Sequence, residues 1–289
     1  MIEVGGHAAL VKHMDLRSCR HVLTATHCRS MLSMCSNLES LDLTKCRGVV
    51  DGELVARLAR HCTGLTALCF TNNCYVHLQT VSYKTLGQGC TSLTDINFSD
   101  SYGVTEAALR ALTDGCPGLS AVNLANTRVG DAAVICLAQR CHYLTLLDVS
   151  NCAISITDAA VAVLARSCPH LNTLKATNCW RNASAEHVTA LARGCPLTHL
   201  DLGACGVDDT AVCVLALDCR SLTYLSLTAV LALIQHCPSL TTLCLGYTAV
   251  TDVSVLAIAD GGLPNLCRLD ITKDDDDDDD EEAAPSVSY

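Results

Sequence analysis

Residues 141–167 read CHYLTLLDVSNCAISITDAAVAVLARS, and this stretch decides the fold. The segment Leu147–Val149 alternates apolar and polar residues with a period of two, which is typical of a short strand with one buried face. Thr157 and Asp158 come next, and Ala159–Ser167 then carries apolar residues at helical spacing. Either Thr157 or Asp158 would cap this helix by accepting backbone N–H bonds. The stretch therefore predicts one strand followed by one helix.

The same pattern recurs along the chain, and each copy begins with a cysteine, the lead cysteine of its unit. A strand and a helix of this size cannot bury their own apolar faces, whereas stacked copies form a continuous core and a curved solenoid. The units are about 26 residues long, but only 18 residues separate the last two lead cysteines. The lead cysteines are Cys35, Cys62, Cys90, Cys116, Cys141, Cys168, Cys195, Cys219 and Cys237.

With x for any residue, the repeated phrase CxxLxxLxLxxCxx(I/V)xD resembles the cysteine-containing leucine-rich repeat of F-box/leucine-rich-repeat proteins. Here it is carried by Cys141, Leu144, Leu147, Val149, Cys152, Ile156 and Asp158, with one additional residue between Cys152 and Ile156. The resemblance covers roughly Val11–Thr272. It implies an α/β horseshoe-shaped solenoid with a parallel sheet on the inner, concave face and helices outside. We therefore predict a single solenoid domain over residues 1–273.

The resemblance also carries a functional expectation. In F-box/leucine-rich-repeat proteins the repeats hold the substrate of an SCF-type ubiquitin ligase, and the F-box contacts the adaptor Skp1. The resemblance implies that this chain is a protein-interaction module and not an enzyme. No F-box fits within Met1–Leu10, so a Skp1-type adaptor is expected as a partner only if an F-box lies upstream. The alternative is a structural or cytoskeletal scaffold unrelated to ubiquitin.

The charge of the chain is concentrated at its end. The net charge is −11, and nine acidic residues lie in Asp274–Glu282. Such a run repels itself and has nothing to bury, so residues 274–289 are predicted to form a disordered tail. The remainder is nearly neutral, which argues against broad capture of nucleic acid. A basic partner such as a histone is a further hypothesis that rests on the tail alone.

No apolar run approaches the roughly 20 residues of a membrane span, and Met1–Val11 lacks the pattern of a secretory signal. The 21 cysteines and 11 histidines raise the question of zinc. Structural zinc sites use close pairs such as CxxC, and the sequence contains none. We therefore predict buried free thiols, no metal or cofactor, no membrane partner, and a reducing compartment, the cytoplasm or the nucleus.

Two sets of residues are candidates for binding. The first lies on the outward side of the predicted strands and includes Asp148, Lys175, His199 and Asp201. Lys175 falls between the two aspartates and is expected to neutralise them. The His199–Asp201 pair would suit a hydrolase, but no nucleophile elbow or placed serine accompanies it.

The second set follows the second cysteine of the phrase, where each strand turns towards its helix. Tyrosine, tryptophan and arginine are enriched at this position, and these residue types dominate binding energy at interfaces. They either bind a partner or lie across neighbouring loops. The candidates are Arg20, Arg47, Tyr75 (allowing for an insertion), Tyr102, Arg128 and Trp180.

The unit that begins at Cys219 is short because it lacks the loop between strand and helix. We predict a short helix near Ala229–His236 and a local break in helix stacking. The strands are predicted to continue without interruption across this unit.

Overall fold

The computed structural model describes residues 10–73, 78–153, 156–180, 183–207, 218–226, 239–244 and 263–270, together with residues 211 and 215. Its strands form one parallel sheet in which neighbours along the chain are neighbours in space. The strands are β1 His13–Asp15, β2 Ser40–Asp42, β3 Ala67–Cys69, β4 Asp95–Asn97, β5 Ala121–Asn123, β6 Leu146–Asp148, β7 Thr173–Lys175, β8 His199–Asp201, β9 Tyr224–Ser226, β10 Thr242–Cys244 and β11 Arg268–Asp270.

Each strand is three residues long, and β2 to β10 bury their middle residue, as the alternation predicts, whereas Met14 in β1 is half-buried and Leu269 in β11 is exposed. Leu147 in β6 is fully buried, and it is in register with Val122 and Leu174 on either side. The first and third residues of each strand point to the other side of the sheet, which we call the open face. The first residues of successive strands therefore lie side by side and form one column along the open face, and the third residues form another.

The helices pack side by side on the opposite side of the sheet. The described helices are α1 Ala25–Leu32, α2 Gly52–His61, α3 Thr80–Gly89, α4 Glu106–Thr113, α5 Asp131–Arg140, α6 Asp158–Ser167 and α7 Ala185–Gly194. Thr157 is the N-cap of α6, and its hydroxyl accepts a hydrogen bond from the N–H of Ala159. Asp158 is the first helical residue, and its carboxylate accepts a hydrogen bond from Trp180 of the next unit instead of capping α6. The architecture is the α/β leucine-rich-repeat solenoid that the repeat predicts.

The lead cysteines lie where each helix ends, and the described ones are all buried. The space there is narrow: a Cβ atom added to Gly194, beside Cys195, would lie 2.2 Å from the carbonyl oxygen of Ala165 in the preceding helix. A small, weakly polar side chain fits this position. The prediction of buried structural thiols is confirmed for this column.

The second cysteine of the phrase occupies a different environment, which we call the turn position. The residue before it adopts a left-handed backbone conformation, with φ of 54° at Asn151. The turn-position side chain then points inward and donates a hydrogen bond to a backbone carbonyl. Cys46 donates to Leu16, and Asn73, which replaces cysteine, donates to Leu43. Residues that can donate a hydrogen bond are interchangeable here, because each can reach the carbonyl with its side chain.

The two cysteine columns should therefore respond differently to serine. The Sγ atom of Cys168 is 3.9 Å from the Ala138 oxygen, too far for an O–H···O bond, so Cys168→Ser should cost about 1–3 kcal/mol of unfolding free energy. Cys205 Sγ is 3.0 Å from the Ala176 oxygen, and Cys205→Ser should cost less than about 1 kcal/mol. Urea unfolding of both variants measures the difference. Equal costs would show that the columns do not differ as described.

The sheet does continue across the short unit. β9 pairs in parallel with both β8 and β10, in the same register as the other strands. The threonine hydroxyls before these strands also form a ladder, in which Thr241 donates to the Thr223 carbonyl and Thr223 to the Thr198 carbonyl. Continuity of the strands is confirmed. The short helix near Ala229–His236 and the tail over residues 274–289 lie outside the described residues and stay predictions.

Candidate functional site

The third residue of each strand is mainly a capping residue. Asp148 Oδ1 accepts a hydrogen bond from the N–H of Ser150 at 3.0 Å, and Asp201 accepts one from Gly203 at the same distance. Asp42, Asn97 and Asn123 make the same contact two residues ahead. These side chains turn the chain out of the strand, and Asp148 is only 8% exposed. The acidic character of this column therefore has a structural cause.

Lys175 interrupts that column. It lies in register between Asp148 and Asp201, and its side chain is exposed. Within the described residues, no ion pair within 4 Å joins it to either aspartate. One oxygen of each carboxylate accepts a backbone N–H bond instead. Neutralisation of the two aspartates by Lys175 stays a prediction. Lys175 is left as an exposed cation on the open face.

His199 and Asp201 both lie on the open face, as predicted. Asp201 is engaged with Gly203, and the Nδ1 atom of His199 is 2.9 Å from the hydroxyl of Thr198. The imidazole also stacks on Tyr224 of the next strand, with ring centroids 6.1 Å apart. Burial raises the pKa of Tyr224. The two residues thus serve separate local contacts and form no proton relay with one another among the described residues.

A shallow depression of about 330 Å³ lies on the open face between β2 and β6. The space exists because the side chains of Ser40, Ala67 and Ala121 are small. Asp42 and Asp95 also line it. Asp42 is 3.7 Å from Arg17, and Asp95 accepts a hydrogen bond from Thr94. The open face is thus small and polar in its first half and bulkier around His199 and Tyr224.

The strand-to-helix edge, where each chain segment leaves its strand, carries the second predicted set. Tyr102 is 48% exposed, and the guanidinium of Arg128 in the next unit lies 5.6 Å from its ring centroid. This distance suits a cation–π contact. Arg47 is exposed on the same edge and donates to Asn72 Oδ1 at 3.0 Å. Three of the predicted residues are therefore exposed where the sequence places them.

The other members of that set differ. Tyr75 lies outside the described residues, as does the side chain of Arg20, whose backbone forms a single 3-10 turn. Trp180 is buried, with no exposed side-chain surface. The prediction that Trp180 is an exposed partner-binding residue is wrong, because its loop folds the indole inward against the preceding unit.

The indole finds its hydrogen-bond partner in that unit. Trp180 Nε1 donates to Asp158 Oδ1 at 2.9 Å, and Asp158 Oδ2 lies 3.2 Å from Nδ1 of His187. Burial alone would raise the pKa of Asp158, but hydrogen bonds from Ser184 and Trp180 outweigh it and lower the pKa. The Ser184 hydroxyl is 2.8 Å from the same His187 nitrogen. Asp158 and Ser184 both contact the same ring nitrogen of His187, whereas a catalytic proton relay uses both ring nitrogens. The cluster therefore links adjacent units and does not form a catalytic relay.

An exposed aromatic pair, which was not predicted from the sequence, lies on the opposite, helix-to-strand edge. Tyr143 and His170 occupy equivalent positions in adjacent units, two residues after their lead cysteines. Their rings stack with centroids 6.3 Å apart and planes only 8° from parallel, and Tyr143 is 65% exposed. Comparing this column between units would have revealed the pair.

Neither metal ligation nor membrane insertion is indicated by the described residues. Among them no group of three or more His, Cys, Asp or Glu side chains is arranged to hold a metal ion. The same part of the chain has no helix with the length and apolarity to cross a bilayer.

Comparison with known proteins agrees with this fold. A family model described as "Leucine Rich repeat" matches residues 236–259. One chain of the yeast Rad7 and Elc1 complex is similar to this chain with a TM-score of 0.60 and 18% sequence identity, over 90% of this chain and 75% of that one. An internalin (inlF) from Listeria monocytogenes matches with a TM-score of 0.47 and 17% identity, over 84% and 64% of the two chains. The fold is that of a leucine-rich-repeat solenoid.

Proposed function

We propose that this chain recognises a protein partner through its strand-to-helix edge, as the substrate-binding part of an SCF-type ubiquitin ligase. The observation that carries the proposal is the exposed Tyr102–Arg128 pair. The repeat stack holds both side chains on a rigid frame, so little conformational entropy is lost when they bind. Tyrosine and arginine are also the residue types that contribute most at interfaces.

Two further points support the proposal. The cysteine-containing phrase resembles that of F-box/leucine-rich-repeat proteins, in which the repeats hold the substrate. The similar yeast chain was crystallised in a complex of Rad7 and Elc1. The open face, with Lys175 exposed and His199 stacked on Tyr224, lies beside this edge and extends the surface available to a partner.

The proposal is tested by affinity purification of the tagged chain from cells, followed by binding measurements with the captured partner. Tyr102→Ala and Arg128→Ala should each weaken binding by more than about 1 kcal/mol, which is roughly a fivefold rise in Kd. Arg60→Ala, an exposed arginine at the end of α2, is the matched control and should leave binding unchanged. Unchanged binding in all three variants would reject the strand-to-helix edge as the interface.

The ubiquitin-ligase assignment has its own readout in the same experiment. A Skp1-type adaptor should co-purify with the tagged full-length gene product. If a partner binds through Tyr102 and Arg128 and no ligase component is recovered, the ubiquitin role is rejected and the scaffold alternative stands.

A further inference from the structure

The helix-to-strand edge carries a second exposed surface, which we call the aromatic–basic patch. It consists of His142, Tyr143, Arg166, His170 and Arg220. The stacked rings of Tyr143 and His170 form its centre. His142 lies against the end of α6, because its Nδ1 atom is 3.2 Å from the Ser167 carbonyl oxygen, next to Arg166. Arg220 directly follows its lead cysteine, as His142 does, and stands two units beyond His170, so the patch extends along the units that begin at Cys141, Cys168, Cys195 and Cys219.

The charges on this edge leave a local excess of cations. Arg140 pairs with Asp114 at 2.9 Å, and Arg193 pairs with Asp218 at 2.7 Å. Arg166 and Arg220 are exposed, and within the described residues neither has an ion pair or hydrogen bond. Asp114 and Asp218 are thus already engaged. Arg166 and Arg220 are therefore available for carboxylates from outside.

We propose that the aromatic–basic patch docks an extended acidic segment of a protein partner that also carries an aromatic or aliphatic side chain. Guanidinium groups bind carboxylates in a bidentate geometry, so Arg166 and Arg220 take the acidic residues. The Tyr143–His170 stack offers an apolar surface with a polar rim to the remaining side chain. This surface is separate from the strand-to-helix edge, and its role does not depend on the function proposed for that edge.

Charge favours a short acidic segment over a nucleic acid. The chain has a net charge of −11, and even without its acidic run it carries no excess of positive charge. A polyanion that tracks a long surface would meet this overall negative field, since its affinity comes from many phosphate contacts. A short peptide engages the patch alone, where the cations are in excess.

The test uses phage-displayed random dodecapeptides selected against the immobilised full chain. The enriched peptides should carry net negative charge and at least one aromatic or aliphatic residue. A fluorescent synthetic copy of the most enriched peptide is then titrated by anisotropy. Arg166→Glu should raise its Kd at least about tenfold, and Tyr143→Ala at least about fivefold. Arg60→Glu stands at the same repeat position in α2 and is the matched control, with an expected change below twofold.

Each other outcome overturns the proposal. Failure to enrich any peptide, or enrichment of neutral or basic ones, would reject the acidic chemistry. Equal sensitivity to Arg60→Glu and Arg166→Glu would mean non-specific attraction, and displacement by a single-stranded oligothymidine would point to nucleic acid. A chain with Asp274–Asp280 replaced by serine completes the set. If only that variant binds peptide, the occupant is the chain's own acidic run and not a partner. Thermal unfolding confirms that each exposed substitution leaves the fold intact.

Discussion

Raising the pH above 9 should unfold this protein in a narrow interval, because six of its lead cysteines, and Cys28 in α1, are buried as neutral thiols. Burial raises the pKa of Cys28, Cys90, Cys141 and Cys195 to about 12, and that of Cys62, Cys116 and Cys168 to about 11. In the unfolded chain these thiols ionise near the ordinary value of about 8.5. The folded state keeps their protons, and the unfolded state releases them.

The sign of the effect follows from this difference. The stability contributed by a group with a raised folded-state pKa is complete below the unfolded pKa and is lost as the pH rises towards the folded value. Each such thiol removes up to about 1.4 kcal/mol per pH unit in that interval. Seven thiols acting together are comparable with the whole stability of a domain, about 5–15 kcal/mol, within one or two pH units.

Urea unfolding followed by circular dichroism, in reducing buffer at pH steps from neutral to alkaline, measures this slope. The double variant Cys90→Ala/Cys168→Ala should lower the slope by about two protons, whatever its stability at neutral pH. Cys267→Ala removes an exposed thiol and is the control whose slope should not change. A free energy of unfolding that stays flat above about pH 9.5 would show that these cysteines are not buried as described.

The repeat itself could be predicted from the sequence because its information is periodic. Leu147 and its equivalents recur at one position, and only a parallel sheet buries them all together. The outward direction of Lys175, His199 and Asp201 follows from the same alternation. The alternation does not show which hydrogen-bond partner the polar end of each side chain faces. Asp148 and Asp201 each turn an oxygen towards a backbone N–H group, and among the described residues neither makes a direct ion pair with Lys175.

The loops were less predictable because each is shaped by the neighbouring unit. Tyr102 and Trp180 occupy the same repeat position, yet Tyr102 is exposed beside Arg128 while Trp180 is buried. The difference lies in Asp158, an acidic residue in the preceding unit that accepts the indole N–H. In the sequence Asp158 reads as a helix cap, and nothing in its own unit reveals the contact. A pattern within one unit cannot show a hydrogen bond between two units.

Trp180→Ala should therefore lower stability and not simply weaken binding. Removing a fully buried indole leaves a cavity between two units and takes away a hydrogen bond from the carboxylate of Asp158. Substitutions of this kind cost about 3–5 kcal/mol. Urea unfolding at neutral pH measures the cost. Tyr102→Ala, at the same repeat position but exposed, is the matched control and should change stability by less than about 0.5 kcal/mol.

A second variant separates packing from the hydrogen bond. Trp180→Phe keeps most of the apolar contact and loses only the N–H donor, so it should cost about 1–3 kcal/mol. The hydrogen bonds to Asp158 lower its pKa, so their stabilising effect is present above the unfolded pKa and is lost as the pH falls through the folded value. The gap between the native chain and Trp180→Phe should narrow below about pH 4. A Trp180→Ala variant as stable as Tyr102→Ala would mean that the indole is not packed between the units. The prediction that Trp180 is exposed and binds a partner would then stand.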